Sequence, residues 1–283
     1  MICGLMPARN EAWVIGYSAR AALRWVDHLI ILAHACRDDT VAIAIQVQLE
    51  TGNRVTIIVE PNPDWREAEN RQRMLEAGRE LGGDVFVALD ADEILCADQA
   101  LTIRPRLEEL LPGQLLALPF VDLWRSLDCY RVDKGSTAPL VFRDQPEIHW
   151  RPAEDGYQLH MRNPRPTHWQ PVATDPRLGG IMHLQRVNWQ RALARQAKYK
   201  MLEQLYWPSR RGGVYQIDAR MDRSVNETGI ELETVPAAWW DYDGLDRELI
   251  DVDLEPWEVS EVRRMVQDHG RQTFAGLNLY GIA

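Results

Sequence analysis

Two carboxylates separated by one residue, Asp90 and Asp92 in Leu89-Asp90-Ala91-Asp92-Glu93, stand directly after an apolar run. One such carboxylate can hold a divalent cation while the other reaches a ribose hydroxyl. A hard cation such as Mg2+ or Mn2+ takes oxygen ligands and carries a substrate diphosphate, so the chemistry in view is phosphate chemistry. Arg71 extends the set. In a helix over 65–81 it lies three residues after Ala68 and four before Leu75, on the stripe formed with Gly78 and Leu81, with Met74 beside it. A guanidinium facing a sheet needs an anion, which the Asp90/Asp92 pair or a diphosphate would supply. The bland alternative is an arginine snorkelling at the edge of the stripe.

The elements that must position these residues follow from the apolar pattern. Runs at 2–6, 29–33, 55–59 and 85–89 are too short for helices and unbroken by polar residues, as expected of strands covered on both faces. Helix-length segments at 11–23, 40–51 and 65–81 lie between them. The alternation predicts an α/β fold with a mostly parallel sheet and right-handed crossovers. Polar residues follow each strand: Arg9, Asn10 and Glu11, then His34, then Glu60, then Asp90, Asp92 and Glu93. Ligands of open α/β sheets bind beyond the carboxyl ends of the strands, so these residues are expected to converge on one crevice. Further on, the pattern predicts a helix over 99–111, strands at 115–121 and 138–142, loops and hairpins over 145–175, and a basic amphipathic helix from 189 to about 205. The acidic tail beyond it reads as less regular.

Composition bounds the class. The chain has 283 residues, 46% hydrophobic and 26% charged, which excludes a disordered chain and a small disulfide scaffold. No apolar run is long enough to span a membrane, and the N-terminus turns polar too soon for a secretory signal. Cys3, Cys36, Cys96 and Cys129 are scattered without a CxxC pair and read as reduced thiols, so a cytoplasmic location is expected. The net charge of -10 argues against a general nucleic-acid binder. It conceals a polarity, however. Nine Lys/Arg against three Asp/Glu lie between 181 and 223, and three against thirteen between 226 and 268. The basic stretch reads either as a polyanion surface or, with the acidic one, as a pair of solvated faces.

At this point the chain resembles a family 2 glycosyltransferase of the GT-A fold, a family with bacterial and phage-encoded members. The resemblance rests on Pro7-Ala8-Arg9-Asn10-Glu11, on the second-strand segment leading to Asp38 and Thr40, on LDADEIL at 89–95, and on Gly180-Ile181-Met182-His183 before the basic helix. It implies inverting transfer from a nucleoside-diphosphate sugar, with UDP the first choice, assisted by Mn2+ or Mg2+. It implies a catalytic domain over 1–190, and an extension over 191–283 that binds acceptor or joins copies in a homo-oligomer. Asp92 would ligate the metal with His183 as a further ligand. Asp90 would hold the ribose or the metal's waters. Pro7, Ala8, Arg9, Asn10, Glu11, Asp38, Arg71 and Ala91 would complete the donor site. The family's second-strand Asp and Ser are Ala33 and Cys36 here, which leaves the nucleotide open.

An inverting transfer needs a carboxylate near the acceptor hydroxyl to take its proton. The family places that acid before the histidine, where Asp155 leads, with Glu154 next and His160 as a third choice. Trp124, Trp150 and Trp169 could stack on sugars but read more simply as packing. A haloacid-dehalogenase-like phosphatase is disfavoured by Ile94 two residues after Asp92, and a nucleotidyltransferase by the lack of glycine in PARNEAWV. A non-catalytic sugar- or nucleotide-binding module is the remaining alternative, given Ala33, Cys36 and Met161. The acceptor is a glycan, a protein or a modified nucleic acid. For DNA, the basic segment with Arg210 and Arg211 would carry the contact.

Overall fold

The computed structural model describes residues 1–64, 66–152, 154, 162–165, 173–208 and 227–283. The four apolar runs are strands β1 (Ile2–Ala8), β2 (His28–His34), β3 (Val55–Glu60) and β4 (Val85–Ala88). They pair in parallel in the order β3-β2-β1-β4. Alternate side chains enter two cores. Ile2 and Met6 of β1 pack with Trp13, Tyr17 and Trp25 on one face. Cys3 and Leu5 pack with Met74, Leu75 and Phe86 on the other. Burying each such large side chain contributes about 1.5–3 kcal/mol.

The crossovers are α1 (Ile15–Ala22), α2 (Thr40–Glu50) and α3 (Glu67–Glu80). α1 starts four residues later than the apolar pattern suggests. The Glu11 and Ala12 N–H groups donate to Thr40 Oγ1 (2.8 Å) and Asp38 Oδ2 (3.0 Å), which holds the preceding chain in turns. On α3 the expected stripe of Ala68, Arg71, Met74, Leu75 and Gly78 is buried, whereas Leu81 is exposed.

The second half of the sheet is mixed. β5 (Glu93–Leu95), β6 (Leu115–Asp122), β8 (Ser136–Arg143) and β9 (Ile181–His183) extend it to β3-β2-β1-β4-β8-β6-β9-β5. β7 (Cys129–Arg131) pairs separately with β10 (Leu232–Thr234). The single helix expected over 99–111 is two, α4 (Ala97–Ala100) and α5 (Arg104–Glu108). Pro105 has no N–H to donate, so it sits in the first turn of a new helix instead of continuing the old one.

The C-terminal stretch is more regular than its acidity suggests. α6 (Trp189–Tyr206) packs against α7 (Trp257–His269), with Ala197, Met201, Val262, Met265 and Phe274 between them. Trp239, Trp240, Tyr242 and Ile250 join the same core as β1 and α1. Among the described residues, no helix is long and apolar enough to cross a membrane.

Gly180 lets β9 lie beside β6. Its φ is +140°, and a Cβ there would meet the Pro119 carbonyl oxygen at 2.2 Å. Gly180→Ala is expected to destabilise the fold by about 2–4 kcal/mol through combined strain and overlap, read as a lower denaturant midpoint. An unchanged midpoint would mean that β9 does not depend on this close approach.

Candidate donor-binding site

The Asp90–Glu93 turn lies beyond the carboxyl end of β4 and is closed from both sides. The Asp90 N–H donates to Glu93 Oε2 at 3.0 Å, and the Glu93 N–H donates to the Asp90 carbonyl at 3.1 Å. Asp90 is held by two arginines. Arg71 Nη2 donates to Oδ1 at 2.8 Å, and Arg162 pairs with Oδ2 and with Glu93. Burial alone would raise the Asp90 pKa, but Arg162 and Arg71 more than offset it and hold the carboxylate ionised. The arginine on the α3 stripe therefore faces the sheet, with Asp90 and Glu67 as its anions.

Asp92 belongs to a different constellation. Register pairs Glu93 and Asp122 with His183 from either side, which sets the three in one row across β5, β9 and β6. His183 Nδ1 lies 3.4 Å from Asp122 Oδ1, and its Nε2 lies 3.9 Å from Asp92 Oδ2. Arg186 Nη1 holds the other Asp122 oxygen at 2.8 Å. Burial pulls the imidazole pKa down, but Asp122, Asp92 and Glu93 outweigh it and leave it raised.

A carboxylate behind one ring nitrogen, with the other nitrogen facing a second carboxylate, is how a metal-binding histidine is oriented. The 3.9 Å gap is too long for a hydrogen bond and suits an ion about 2.1 Å from each atom. Asp92 and His183 are of the residue types that hold a divalent cation, and an ion there would displace Arg195 Nη1, 2.7 Å away, from the same Asp92 oxygen. Among the described residues no three His, Cys, Asp or Glu side chains are grouped to hold one. An ion here would complete its shell with water and phosphate oxygens. Asp90, with both oxygens on arginines, stands outside that set.

Arg195 of α6 occupies the space between the acids. Its Nη1 donates to Asp92 Oδ2 at 2.7 Å, its Nη2 lies 3.6 Å from Glu11 Oε1, and its Nε lies 3.5 Å from Glu258 Oε1. The basic stretch of α6 is accordingly no solvated face. Arg191, Arg195, Lys198 and Lys200 are buried, and Arg191 stacks on Trp13 at 3.9 Å. The acidic tail supplies Glu258 as a partner of Arg195. Arg210 and Arg211 lie outside the described residues.

The cleft at the strand ends is lined by Pro7, Ala8, Arg9, Glu11, Arg71, Asp90, Ala91 and Asp92, as the motifs suggest. α6 and α7 line it as well, through Arg195, Lys198, Tyr199, Trp257 and Glu258. Two motif residues hold the loop beside the cleft. Asp38 accepts from the N–H groups of Ala12 and Thr40 and from Thr40 Oγ1, so both its oxygens lock the loop. Asn10, at φ +55°, accepts from the Arg37 N–H at 2.7 Å. Burial raises the Cys36 pKa, so it is a thiol, and it receives the Asn10 N–H.

Glu154 is exposed. Asp155, His160, Met161 and Trp169 lie outside the described residues. Trp150 packs on Phe142 and Trp124 on Trp189. The motifs did not single out Asp122, Arg162, Arg195, Lys198 or Glu258. Asp122 ends a strand, which is the rule that marked Asp90. Arg191, Arg195 and Lys198 stand at helical spacing on one stripe, a legible signal for a cationic face.

No protein-family model matches the chain, and no curated protein matches it. Three solved structures illustrate the similarities found. A mannosyltransferase from Pyrobaculum calidifontis in complex with GDP-Man and Mn2+ is 18% identical over 44% of this chain and 35% of that chain, with a TM-score of 0.33. Glucosyl-3-phosphoglycerate synthase from Mycobacterium tuberculosis, with Mn2+, UDP and glucosyl-3-phosphoglycerate, is 22% identical over 44% of each chain, with a TM-score of 0.30. S. aureus TarS 1-349 is 10% identical over 78% of this chain and 68% of that chain, with a TM-score of 0.38. The match spans less than half of the mannosyltransferase and of the synthase.

Glu11 gives the cleft a titration signature. Burial, with Asp92 and Glu258 nearby and against Arg195, pushes its pKa up to about 8 from 4.5. The folded state therefore holds a proton that the unfolded chain releases. Stability from this group is present below pH 4.5 and is lost as pH rises through about 8. Between pH 5.5 and 7.5, wild type is expected to lose stability relative to Glu11→Gln by up to about 1.4 kcal/mol per pH unit in paired urea titrations. Parallel titrations for the two proteins would show Glu11 to be ionised in the fold.

Proposed function

We propose that the chain is a glycosyltransferase of the GT-A type that moves a sugar from a nucleoside-diphosphate sugar to an acceptor hydroxyl with inversion. One observation carries the reading: Asp92, in an arginine-lined cleft at the carboxyl ends of the parallel strands, faces His183, which is itself backed by Asp122. The motif resemblance over the first hundred residues supports the same site.

In this reading Asp92 and His183 hold Mn2+ or Mg2+, which when bound supplies positive charge to the leaving diphosphate. Asp122 keeps the His183 proton on Nδ1, so that Nε2 faces the cleft as a ligand. Asp90, oriented by Arg71 and Arg162, accepts from the ribose. Pro7 and Ala8 border the nucleoside, with UDP the first candidate. The proton of the acceptor hydroxyl goes to a base in the 154–160 segment, with Asp155 ahead of Glu154 and His160.

The acceptor, whether glycan, protein or nucleic acid, approaches through the open groove bordered by Phe120, Asp122, Lys134 and Arg177. His183 lies between Asp122 of the groove and Asp92 of the cleft, 3.4 Å and 3.9 Å from its two nitrogens. The 191–283 stretch contributes to the donor side through α6 and α7.

The test is thermal unfolding with UDP-, GDP-, TDP- and CDP-sugars and Mn2+, followed by assay of released nucleoside diphosphate. A ligand at about a hundred times its Kd should stabilise by about 2.7 kcal/mol. Asp92→Asn is expected to abolish release, and Asp122→Asn to weaken Mn2+ binding about 10- to 100-fold. Stabilisation without turnover would leave a binding module; no stabilisation by any donor would sink the reading.

A further inference from the structure

The cleft contains polar atoms that the protein itself leaves unsatisfied. Arg9 Nε, Arg71 Nη1 and Trp257 Nε1 are buried donors with no hydrogen-bond partner among the described residues, and all three side chains line the cleft. Arg71 is 3% exposed. A buried donor left unpaired costs about 1–3 kcal/mol, so three around one cleft point to a ligand rich in acceptor oxygens.

Cations stand beside these donors and share the cleft with the carboxylates of Glu11, Glu67, Asp90, Asp92 and Glu258. The Trp257 ring carries the Arg9 guanidinium 5.2 Å from its centroid and the Lys198 ammonium at 4.2 Å. Arg195 lies in the same cleft, on Asp92 Oδ2. It thereby takes the carboxylate oxygen that a divalent ion would use. Of these groups, Arg195, Lys198 and Trp257 come from α6 and α7, which the motifs assign no donor role.

We propose that Arg9, Arg71, Arg195 and Lys198, with the Trp257 indole N–H, hold the donor's diphosphate directly, so that nucleotide binding does not require the divalent ion. This rests on the glycosyltransferase reading above and deepens its donor site. The C-terminal helix α7 is then a wall of the donor pocket. Trp257 has two functions there: its ring is the platform for two cations, and its N–H donates to a phosphate oxygen. Burial pulls the Lys198 pKa down to about 8, and a bound anion would favour its charged form.

The experiment is isothermal titration of the full chain with UDP and with GDP, each in EDTA and in Mn2+. The tighter nucleotide is expected to bind within about threefold of the same Kd in both buffers. Trp257→Phe keeps an aromatic face and removes the N–H, and is expected to weaken binding about tenfold with an unchanged Tm. Lys198→Met keeps the stem on the ring, loses the charge, and should weaken binding in EDTA by at least as much. Binding that appears only with Mn2+, or that survives both substitutions, overturns this proposal and leaves the glycosyltransferase reading standing. Absence of binding by both nucleotides in both buffers overturns this proposal, and the glycosyltransferase reading falls with it when no TDP- or CDP-sugar stabilises the fold either.

Discussion

Five carboxylates, Glu11, Asp90, Asp92, Glu93 and Glu258, meet where the parallel strands end, and the cations that compensate them organise the molecule. Like charges removed from water cannot stay ionised side by side without nearby counter-charges. Arg71 comes from α3, Arg162 from the segment before β9, and Arg195 from α6. Each ion pair therefore ties a separate part of the chain to the same loop. Where the compensation falls short the acid takes up a proton instead, as at Glu11. Removing one partner of such a buried pair typically costs about 3–5 kcal/mol, so the cluster sets fold and site at once.

The half of the site around His183 depends on strand register, and charge alone would not place it. β9 is only three residues long, yet it pairs with β5 on one side and β6 on the other. That double pairing sets Glu93 and Asp122 beside His183. A one-residue slip would turn the imidazole to the opposite face of the sheet and dissolve the arrangement. The close approach at Gly180 and the hydrogen bond from the Leu184 N–H to the Asp92 carbonyl (2.9 Å) fix that register from both ends.

The α/β layout was legible because β1 to β4 are unbroken apolar runs, and a strand covered on both faces admits little else. Position at strand ends then pointed to Asp90 and Asp92, and helical spacing put Arg71 on the sheet face of α3. What failed to show in the sequence depends on partners distant in the chain. Asp38 has the residue type of a ligand, yet its oxygens are consumed by neighbouring backbone N–H groups, a competition that composition does not reveal. The cationic stripe of α6 was visible as a stripe. That it turns inward depends on Glu11, more than a hundred and eighty residues earlier, and on Glu258, some sixty residues later. The basic and acidic stretches could be read as two solvated faces only while that pairing was hidden. The helix over 99–111 failed for a local reason, since Pro105 outweighs the apolar pattern around it.

The cleft is thus made from both ends of the chain. The first ninety-three residues supply the strand ends and their acids, and α6 and α7 supply Arg195, Lys198 and Glu258 opposite. Core packing couples the two. The Tyr17 hydroxyl donates to the Trp240 carbonyl (3.2 Å), the Asp251 N–H donates to the Trp13 carbonyl (2.8 Å), and the Trp239–Ile250 side chains share a core with β1. The C-terminal stretch consequently shares the sheet's core and lines its cleft. Its Arg195 is held by the sheet's acids, and Arg195 in turn keeps Asp92 ionised. A ligand that draws Arg195 or Lys198 towards itself must therefore alter the balance at Asp92 and Glu11 as well. Binding at the strand ends and the docking of α6 and α7 become two readings of one electrostatic equilibrium.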